Sequence, residues 1–186
     1  IYWKQLSGIG LPELMAHRVL WTLLAITLFL TARRELPSLV AAWRSSSIRR
    51  SHLQGSALLM GNWGLYIWGV STGRIIETSL GYFLVPLLNA GLGRILFQER
   101  LRRAQKIALG LATAGVVVMV WQVGRLPWIA LGLAGTWAAY GLVHKRSQAG
   151  PLTGLALETS FAAPFALGYL IWLGWAGQAH FGASGP

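Results

Sequence analysis

The sequence contains no cysteine and only five acidic residues among its 186 positions. The lack of cysteine excludes disulfide bonds, thiol catalysis and zinc sites with cysteine ligands. Charged residues make up 11% of the chain, whereas a soluble domain usually has about 25%. The sequence also has no HExxH, GxSxG or P-loop pattern, and no cofactor fingerprint. No run alternates polar and apolar residues as a half-buried strand does.

Apolar residues dominate the composition. Hydrophobic residues account for 54% of the chain, which also holds 23 glycines and 10 tryptophans. The mean hydropathy is +0.52. Glycine and proline are more frequent in membrane helices than in soluble ones, and tryptophan is enriched at membrane interfaces. The composition therefore predicts an all-α polytopic membrane protein, a transmembrane helix bundle whose first partner is the lipid bilayer.

A spanning helix requires about 20 mostly apolar residues. Short links separate the stretches that meet this requirement, which favours antiparallel neighbours. These stretches are residues 14–32, 53–72, 77–97, 104–122, 126–144 and 154–175. Residues 1–6 resemble the end of an earlier span, so we expect a fragment of a larger bundle. The longest link, 33–52, is either a plain basic loop or holds an interfacial amphipathic helix with Leu36, Leu39, Val40 and Trp43 on one side.

Lysine and arginine gather in alternate links. Of the 16 basic residues, those outside the spans mostly follow residues 14–32, 77–97 and 126–144, and the opposite links hold only Lys4, Arg74 and Arg125. Cytoplasmic links of membrane proteins carry the excess of positive residues. We therefore predict that links 33–52, 98–106 and 145–152 lie in the cytoplasm. The net charge of +11 is then explained by topology, and no nucleic-acid partner is predicted.

Ionisable side chains inside spans are costly and mark either a pathway or a structural pair. Glu77 has two interpretations, a pathway carboxylate or an acid that suits the N-terminus of its helix. The presence of Arg94 in a span has two explanations: its side chain extends toward the membrane interface, or it forms an ion pair with Glu99. Glu13 is interpreted as an interfacial cap.

The remaining polar residues of the spans are the candidates for a substrate or proton pathway. A pathway role is favoured for at least one of the ionisable residues His17, Arg18 and Glu158. The uncharged candidates are Asn62, Tyr66, Ser79, Tyr82, Asn89 and Tyr140.

Two of the spans carry polar stripes. At about 100° per residue, Thr78, Ser79, Tyr82, Pro86, Asn89 and Gly93 share one side of span 77–97. Pro86 cannot donate to the Tyr82 carbonyl, so a kink is predicted there. Span 53–72 has a matching stripe of Gly55, Leu59, Asn62, Tyr66, Gly69 and Gly73.

Small residues let helices approach closely, and polar ones supply hydrogen bonds between them. We predict that Asn62, Tyr66, Tyr82 and Asn89 face the bundle interior, while Leu80, Leu87 and Leu88 do not all do so. The alternative is that the stripes serve packing alone. Span 104–122 has small residues but no polar pathway, and is interpreted as a packing helix.

Four segments in order carry a family resemblance. They are HRVLW (17–21), GNWGLYIWGV (61–70), ETSLGYFLVPLLN (77–89) and ALGLAGTWAAYGLVHK (130–145). Together they resemble the RarD-like proteins of the EamA type of drug/metabolite transporters. The resemblance implies ten transmembrane helices in two five-helix repeats of opposite orientation. Residues 1–122 would be the first repeat with a truncated first helix, and residues 126–186 the start of the second.

The resemblance also implies a permease of the bacterial inner membrane, with a link to chloramphenicol sensitivity. It implies no residue-level map. The leading prediction is a secondary transporter of small organic solutes or drugs that alternates access to a midplane cavity. Since no ATP motif exists, energy would come from an ion gradient or from exchange, and His17, Glu77 or Glu158 could carry a coupling proton.

A non-transporting membrane scaffold or regulatory protein is the alternative. An intramembrane enzyme is disfavoured, because the sequence shows no nucleophile–base or metal pattern. The sequence does not predict a substrate, the direction of transport or an oligomeric state.

An alignment of the chain with itself bears on the repeats. An offset of 141 places Lys4 on Lys145 and His17 on Glu158. Because the charge pattern puts Lys4 outside and Lys145 inside, the two segments would be inverted copies. His17 and Glu158 would then lie at equivalent depths on opposite sides of the midplane. The alternative is a chance alignment, with Glu158 merely capping its helix.

Overall fold

The computed structural model describes residues 9–96, 98, 102–124 and 126–178. Within these ranges every element of regular secondary structure is a helix, which confirms the all-α prediction. In chain order the described helices are α1 (Leu11–Ala32), α2 (Leu36–Arg44), α3 (Ser46–Ser71), α4 (Ile75–Leu96), α5 (Arg103–Val123), α6 (Trp128–Arg146) and α7 (Pro151–Trp175).

The long helices have the dimensions and surface of membrane spans. In the described ranges, α1, α4 and α7 are long and apolar enough to cross a bilayer by length and composition. Helices α3, α5 and α6 have 26, 21 and 19 residues, and about 20 residues are needed to span. Large apolar side chains stand on the outer surface, among them Phe83, Trp121 and Phe165. Such a surface suits contact with lipid rather than water.

Helix α3 is the centre of the described bundle. It packs against both α6 and α7, while α1 lies along α7 and α4 lies along α6. Ala16, Val19, Leu59, Trp63 and Ala166 form a core that joins α1, α3 and α7. A second core of Leu84, Val85, Ala130 and Ala134 joins α4 to α6.

Small residues permit the closest helix contacts, as the stripe on α3 predicted. Gly55, Leu59, Asn62 and Gly69 of that stripe are buried, and Tyr66 is half-buried. Gly73, the last predicted member, is exposed and lies beyond the end of α3. A Cβ atom at Gly69 would overlap the side chain of Thr78 on α4. On α4 itself, a Cβ atom at Gly81 would lie 2.9 Å from Leu133 Cβ on α6.

The alternation of links between the two ends of the bundle follows the predicted pattern. Ser38 Oγ lies 3.1 Å from Thr153 Oγ1, so links 33–52 and 145–152 meet at one end. At the other end, Trp68 near the end of α3 stacks on Trp128 at the start of α6, with ring centroids 5.3 Å apart. The guanidinium of Arg74 lies over both rings. Which end faces the cytoplasm stays a prediction.

Link 33–52 is largely helical, so its interpretation as a plain loop is wrong. Helix α2 forms as the amphipathic alternative predicted, and Leu36 and Leu39 pack against the core of α1 and α7. Val40 remains exposed, so only part of the predicted apolar side is used.

Helix α3 begins at Ser46, whereas the sequence predicted a start at residue 53. The helix is capped at this end, because the Ser45 hydroxyl accepts a hydrogen bond from the Ile48 N–H. The early start brings His52 into the helix.

Several predictions lie outside the described residues: the earlier span at 1–6, Lys4, Arg125 and the Glu99 partner of Arg94. Arg94 itself is exposed in the last turn of α4.

Helix α5 packs on α4. In the described structure nothing lies within 4 Å of a Cβ atom placed at Gly110 or Gly115, so its interpretation as a packing helix stays a prediction.

Candidate functional site

A buried polar cluster joins α3, α6 and α7 at the end of the bundle where links 33–52 and 145–152 meet. We call it the histidine–glutamate cluster; its members are His52, Tyr140, His144, Ser147 and Glu158. Glu158 Oε1 lies 2.7 Å from His52 Nδ1 and 2.9 Å from His144 Nε2. The Tyr140 hydroxyl donates to Glu158 Oε2 over 2.8 Å. Two helices, α3 and α6, therefore place donors on one carboxylate of a third helix, α7.

The sequence positions this cluster through helix ends and glycines. His52 lies in the second turn of α3, His144 in the last turn of α6, and Glu158 in the second turn of α7. A Cβ atom at Gly154 would lie 2.6 Å from His52 Cε1 and 2.8 Å from His144 Cε1. A Cβ atom at Gly55 would overlap the Glu158 carboxylate. Both glycines make room for the side chains of the cluster.

Burial differs among the members of this cluster. The side chains of His52 and Glu158 are 0% exposed, whereas that of His144 is 19% exposed. The second ring nitrogen of His52, Nε2, lies 2.8 Å from Ser147 Oγ. Ser147 Oγ also accepts a hydrogen bond from the backbone N–H of Ala149 over 3.1 Å.

His52, His144 and Glu158 also place one ligand atom each within 4.8 Å of one another, a set of the kind that can hold a metal ion.

A second group, the arginine–tyrosine cluster, consists of Arg18, Trp63, Tyr66 and Tyr82 on α1, α3 and α4. The Arg18 guanidinium lies 4.0 Å from the centroid of the Trp63 ring. Tyr66 and Tyr82 meet edge to face with ring centroids 5.7 Å apart, and both lie near Arg18. Cation–π contact and aromatic pairing stabilise such a group. The structure thus brings together three predicted residues, Arg18, Tyr66 and Tyr82.

Asn62 is buried, as predicted, and joins α3 to α6. Its side-chain amide donates to the Leu133 carbonyl and to Thr136 Oγ1, both over 2.9 Å. These contacts fit the alternative interpretation of the stripe, packing between helices. They place Asn62 inside the bundle between the two clusters.

The predicted orientation of α4 is wrong within the described residues. Tyr82 is 46% exposed, and Pro86 and Asn89 are also exposed. Leu80, Leu87 and Leu88 instead pack against the core of α4 and α6. The physical reason is that Gly81, Leu84 and Val85 form the buried stripe, and this stripe packs against α6. Pro86 lies inside a continuous helix, and the kink stays a prediction.

The other predicted residues lie apart from both clusters or at their edges. His17 is half-buried on α1 beside Arg18, and Glu77 is half-buried in the first turn of α4. Both interpretations of Glu77 stay predictions. Glu13 is 2% exposed in the first turn of α1, and its interpretation as an interfacial cap stays a prediction.

Sequence reasoning identified Tyr140 and Glu158 but missed His52, His144, Ser147 and Trp63. The sequence prediction placed His52 in a basic link. Arg49 and Arg50 closely precede it, and charged residues there made the start of the helix difficult to predict. His144 had a usable signal, since residues four apart lie on the same face of a helix and Tyr140 precedes it by one turn. Nothing in the sequence indicated that His52 and Glu158 meet.

An all-helical bundle with an apolar surface, span-length helices and buried polar clusters defines a multi-pass α-helical membrane protein. The chain is 40% identical to "Protein RarD" of Streptomyces exfoliatus, over all of this chain and 59% of that protein. It is 36% identical to "Protein RarD" of Escherichia coli, over 97% of this chain and 61% of that protein. It is 37% identical to "Uncharacterized transporter YojE" of Bacillus subtilis, over 94% of this chain and 59% of that protein.

These similarities place the chain in the RarD-like family of bacterial membrane proteins. The chain spans 59–61% of the length of these three relatives. The name of the Bacillus subtilis relative points to a transporter rather than an enzyme. No protein-family model matches the chain, and no solved structure matches it.

Proposed function

We propose that the protein is a secondary transporter of small organic solutes or drugs in the bacterial inner membrane. The observation that carries this proposal is the arginine–tyrosine cluster, a cation among aromatic rings on a partly exposed face of a membrane bundle. Ionisable residues in spans face a bundle interior or an aqueous cavity. The names of the relatives support transport as the general activity.

The chemistry of this cluster suits a flat organic solute that bears an acidic group. Arg18 supplies a permanent positive charge and hydrogen-bond donors for a carboxylate or phosphate. Trp63, Tyr66 and Tyr82 supply ring faces for an apolar body. Asn89 lies further along α4, with its carboxamide oxygen directed to Gly141 on α6. We propose that a solute passes along this face of α4.

The proposed mechanism is alternating access between two inverted repeats, residues 1–122 and residues 126–186. Transporters of this kind hold the solute near the midplane while one repeat moves against the other. The meeting of links 33–52 and 145–152 at one end supports this arrangement. The same arrangement puts His17 and Glu158 near opposite ends of the antiparallel helices α1 and α7.

Topology provides a direct test, because the chain has no cysteine of its own. We expect single cysteines at Ser46 and Ser147 to face the cytoplasm, and those at Thr72 and Gly124 to face outward. An impermeant thiol reagent applied to intact cells should label only the last two positions, and permeabilised cells should add the first two. Labelling of the Ser46→Cys variant in intact cells would contradict the proposed orientation.

Transport itself is tested with the full-length protein in proteoliposomes. We expect saturable flux of at least one solute from a panel of aromatic acids, amino acids and chloramphenicol. Arg18→Gln should lower that flux about tenfold or more, because a charged hydrogen bond contributes about 1.5–3 kcal/mol. Asn89→Leu should also impair flux more than it impairs folding. Arg94→Gln, an exposed arginine of α4, is the matched control and should leave flux near wild type.

Two outcomes would count against the proposal. Flux no faster than in empty liposomes for every solute of the panel would favour the scaffold alternative. If Arg18→Gln lowered flux and thermal stability to the same extent, the arginine–tyrosine cluster would serve helix packing rather than solute binding.

A further inference from the structure

We propose that His52, His144 and Glu158 form a binding site for one transition-metal ion such as Zn²⁺. The ligand atoms are His52 Nδ1, His144 Nε2 and Glu158 Oε1, which all lie within 4.8 Å of one another. A bound ion would join α3, α6 and α7 through bonds to its three ligands. The site belongs to the histidine–glutamate cluster alone and does not rest on the proposed transport function.

The chemistry of the three ligands selects the class of ion. Imidazole nitrogen suits zinc, copper, iron and nickel, whereas magnesium, calcium and manganese prefer oxygen ligands. Two imidazoles and one carboxylate are a set that zinc uses in sites with three protein ligands, where the fourth position is open to water or another small ligand. The ligand types of the cluster therefore favour Zn²⁺ over Mg²⁺ or Ca²⁺.

The ligand atoms need only small movements to accept an ion. A tetrahedral zinc site with ligand bonds of about 2.0–2.2 Å holds its ligand atoms about 3.3 Å apart. Glu158 Oε1 lies 2.7 Å from His52 Nδ1 and 2.9 Å from His144 Nε2. Each imidazole would therefore move away from this oxygen by about half an ångström. The two rings meet edge to face, with centroids 5.1 Å apart, so they do not stack and both nitrogens reach the same oxygen.

Hydrogen bonds to the far atoms of two ligands orient them, as is usual around metal ions. His52 Nε2 lies 2.8 Å from Ser147 Oγ, and a hydrogen on Nε2 leaves the lone pair of Nδ1 for the ion. A hydroxyl oxygen has two lone pairs, so Ser147 Oγ can accept this bond together with the one from the Ala149 N–H. The Tyr140 hydroxyl donates to Glu158 Oε2, which leaves Oε1 for the ion.

The backbone around the ligands is also fixed. His52 and Ser56 lie one turn apart on the same side of α3, and Ser56 Oγ donates to the backbone carbonyl of Glu158 over 2.7 Å. This bond holds α7 against α3 at the position of the carboxylate ligand. Gly154, one turn before Glu158 on α7, leaves space for both imidazole rings because it has no side chain.

Charge and access also suit a cation. An ionised Glu158 beside two neutral imidazoles places a negative charge inside a membrane bundle, which is unfavourable without a partner, and a divalent ion compensates it. The side chain of His144 is 19% exposed, whereas those of His52 and Glu158 are 0% exposed. An ion would therefore enter beside His144. The cluster lies at the end of the bundle where links 33–52 and 145–152 meet, so the ion need not cross the apolar middle.

The test is Zn²⁺ binding by the full-length protein, purified without a polyhistidine tag and stripped of metal by a chelator. Competition with a chromophoric chelator should give one ion per protein with a Kd of about 1 μM or lower. His144→Gln and Glu158→Gln should each weaken binding about hundredfold or more, and Ser147→Ala about tenfold, since outer partners of a metal site contribute about 10–100-fold. Glu35→Gln is the matched control, because Glu35 is an exposed acid at the same end that pairs with Arg33; it should bind Zn²⁺ as the wild type does.

Two further measurements keep the test valid if a variant folds poorly. Zn²⁺ should raise the thermal unfolding temperature of the wild type and of Glu35→Gln, because a ligand of the folded state stabilises it. It should not do so for His144→Gln. X-ray absorption of the zinc-loaded wild type requires no variant, and should show two imidazole nitrogens and a carboxylate oxygen at about 2.0–2.2 Å from the ion.

Three results would overturn the metal site. The first is no bound ion at Zn²⁺ concentrations about a hundredfold above the expected Kd. The second is binding that neither His144→Gln nor Glu158→Gln weakens, which would assign the ion to surface groups. The third is a zinc spectrum with fewer than two imidazoles. None of these readouts uses solute flux, so the metal site and the transport proposal can fail independently.

Discussion

Glu158→Leu is expected to destabilise the full-length protein by about 3–5 kcal/mol, the usual cost of removing one partner from a buried ionic group. The substitution removes the two carboxylate oxygens that accept hydrogen bonds from His52, Tyr140 and His144. His52 Nδ1, His144 Nε2 and the Tyr140 hydroxyl then have donors aimed at an apolar side chain. His52 is fully buried, so water cannot replace the lost acceptor. Reversible unfolding in mixed detergent micelles, followed by tryptophan fluorescence, measures the free energy of unfolding.

A graded series makes this expectation specific. Glu158→Gln keeps the size of the side chain and one acceptor oxygen, so we expect a smaller loss of about 1–3 kcal/mol. Glu35→Leu is the control, since Glu35 forms an exposed pair with Arg33, and such pairs contribute about 0–1 kcal/mol. If Glu158→Leu cost no more than Glu35→Leu, the cluster would not be a structural junction of the three helices.

Gly154→Ala is expected to destabilise the protein by about 1–3 kcal/mol, the cost of overpacking a well-filled site. The added methyl group would meet the rings of His52 and His144 at 2.6 and 2.8 Å. Neither ring can move away without losing its bond to Glu158. The same unfolding assay measures the effect.

The same helix contains a matched control for this substitution. Nothing lies within 4 Å of a Cβ atom at Gly168 on α7. Gly168→Ala should therefore be neutral or stabilise the protein by up to about 1 kcal/mol, since alanine favours the helix over glycine. Similar effects of the two substitutions would show that Gly154 does not make room for the imidazoles.

The histidine–glutamate cluster and the arginine–tyrosine cluster lie on different parts of α3. His52 precedes Trp63 and Tyr66 by 11 and 14 positions, which at 1.5 Å per residue separates them by about 16–21 Å along the helix. Asn62, which is hydrogen-bonded to α6, lies between them along α3.

The sequence by itself determined the class of the protein, because composition and the lengths of apolar runs depend on the bilayer alone. It also determined which links share an end, because basic residues mark one side of the membrane. The Glu158 and Tyr140 candidates followed from the cost of polar groups in spans. These inferences need no knowledge of which helices are neighbours.

Only the tertiary structure decided which polar residues meet. His52 and Glu158 are 106 residues apart, and no local pattern relates them; their contact depends on α3 packing against α7. The orientation of α4 was likewise decided by packing, because Gly81 permits a close approach to α6, and this approach leaves Tyr82 and Asn89 exposed. The period of a helix predicts that residues share a face, but close packing between particular helices decides where that face points.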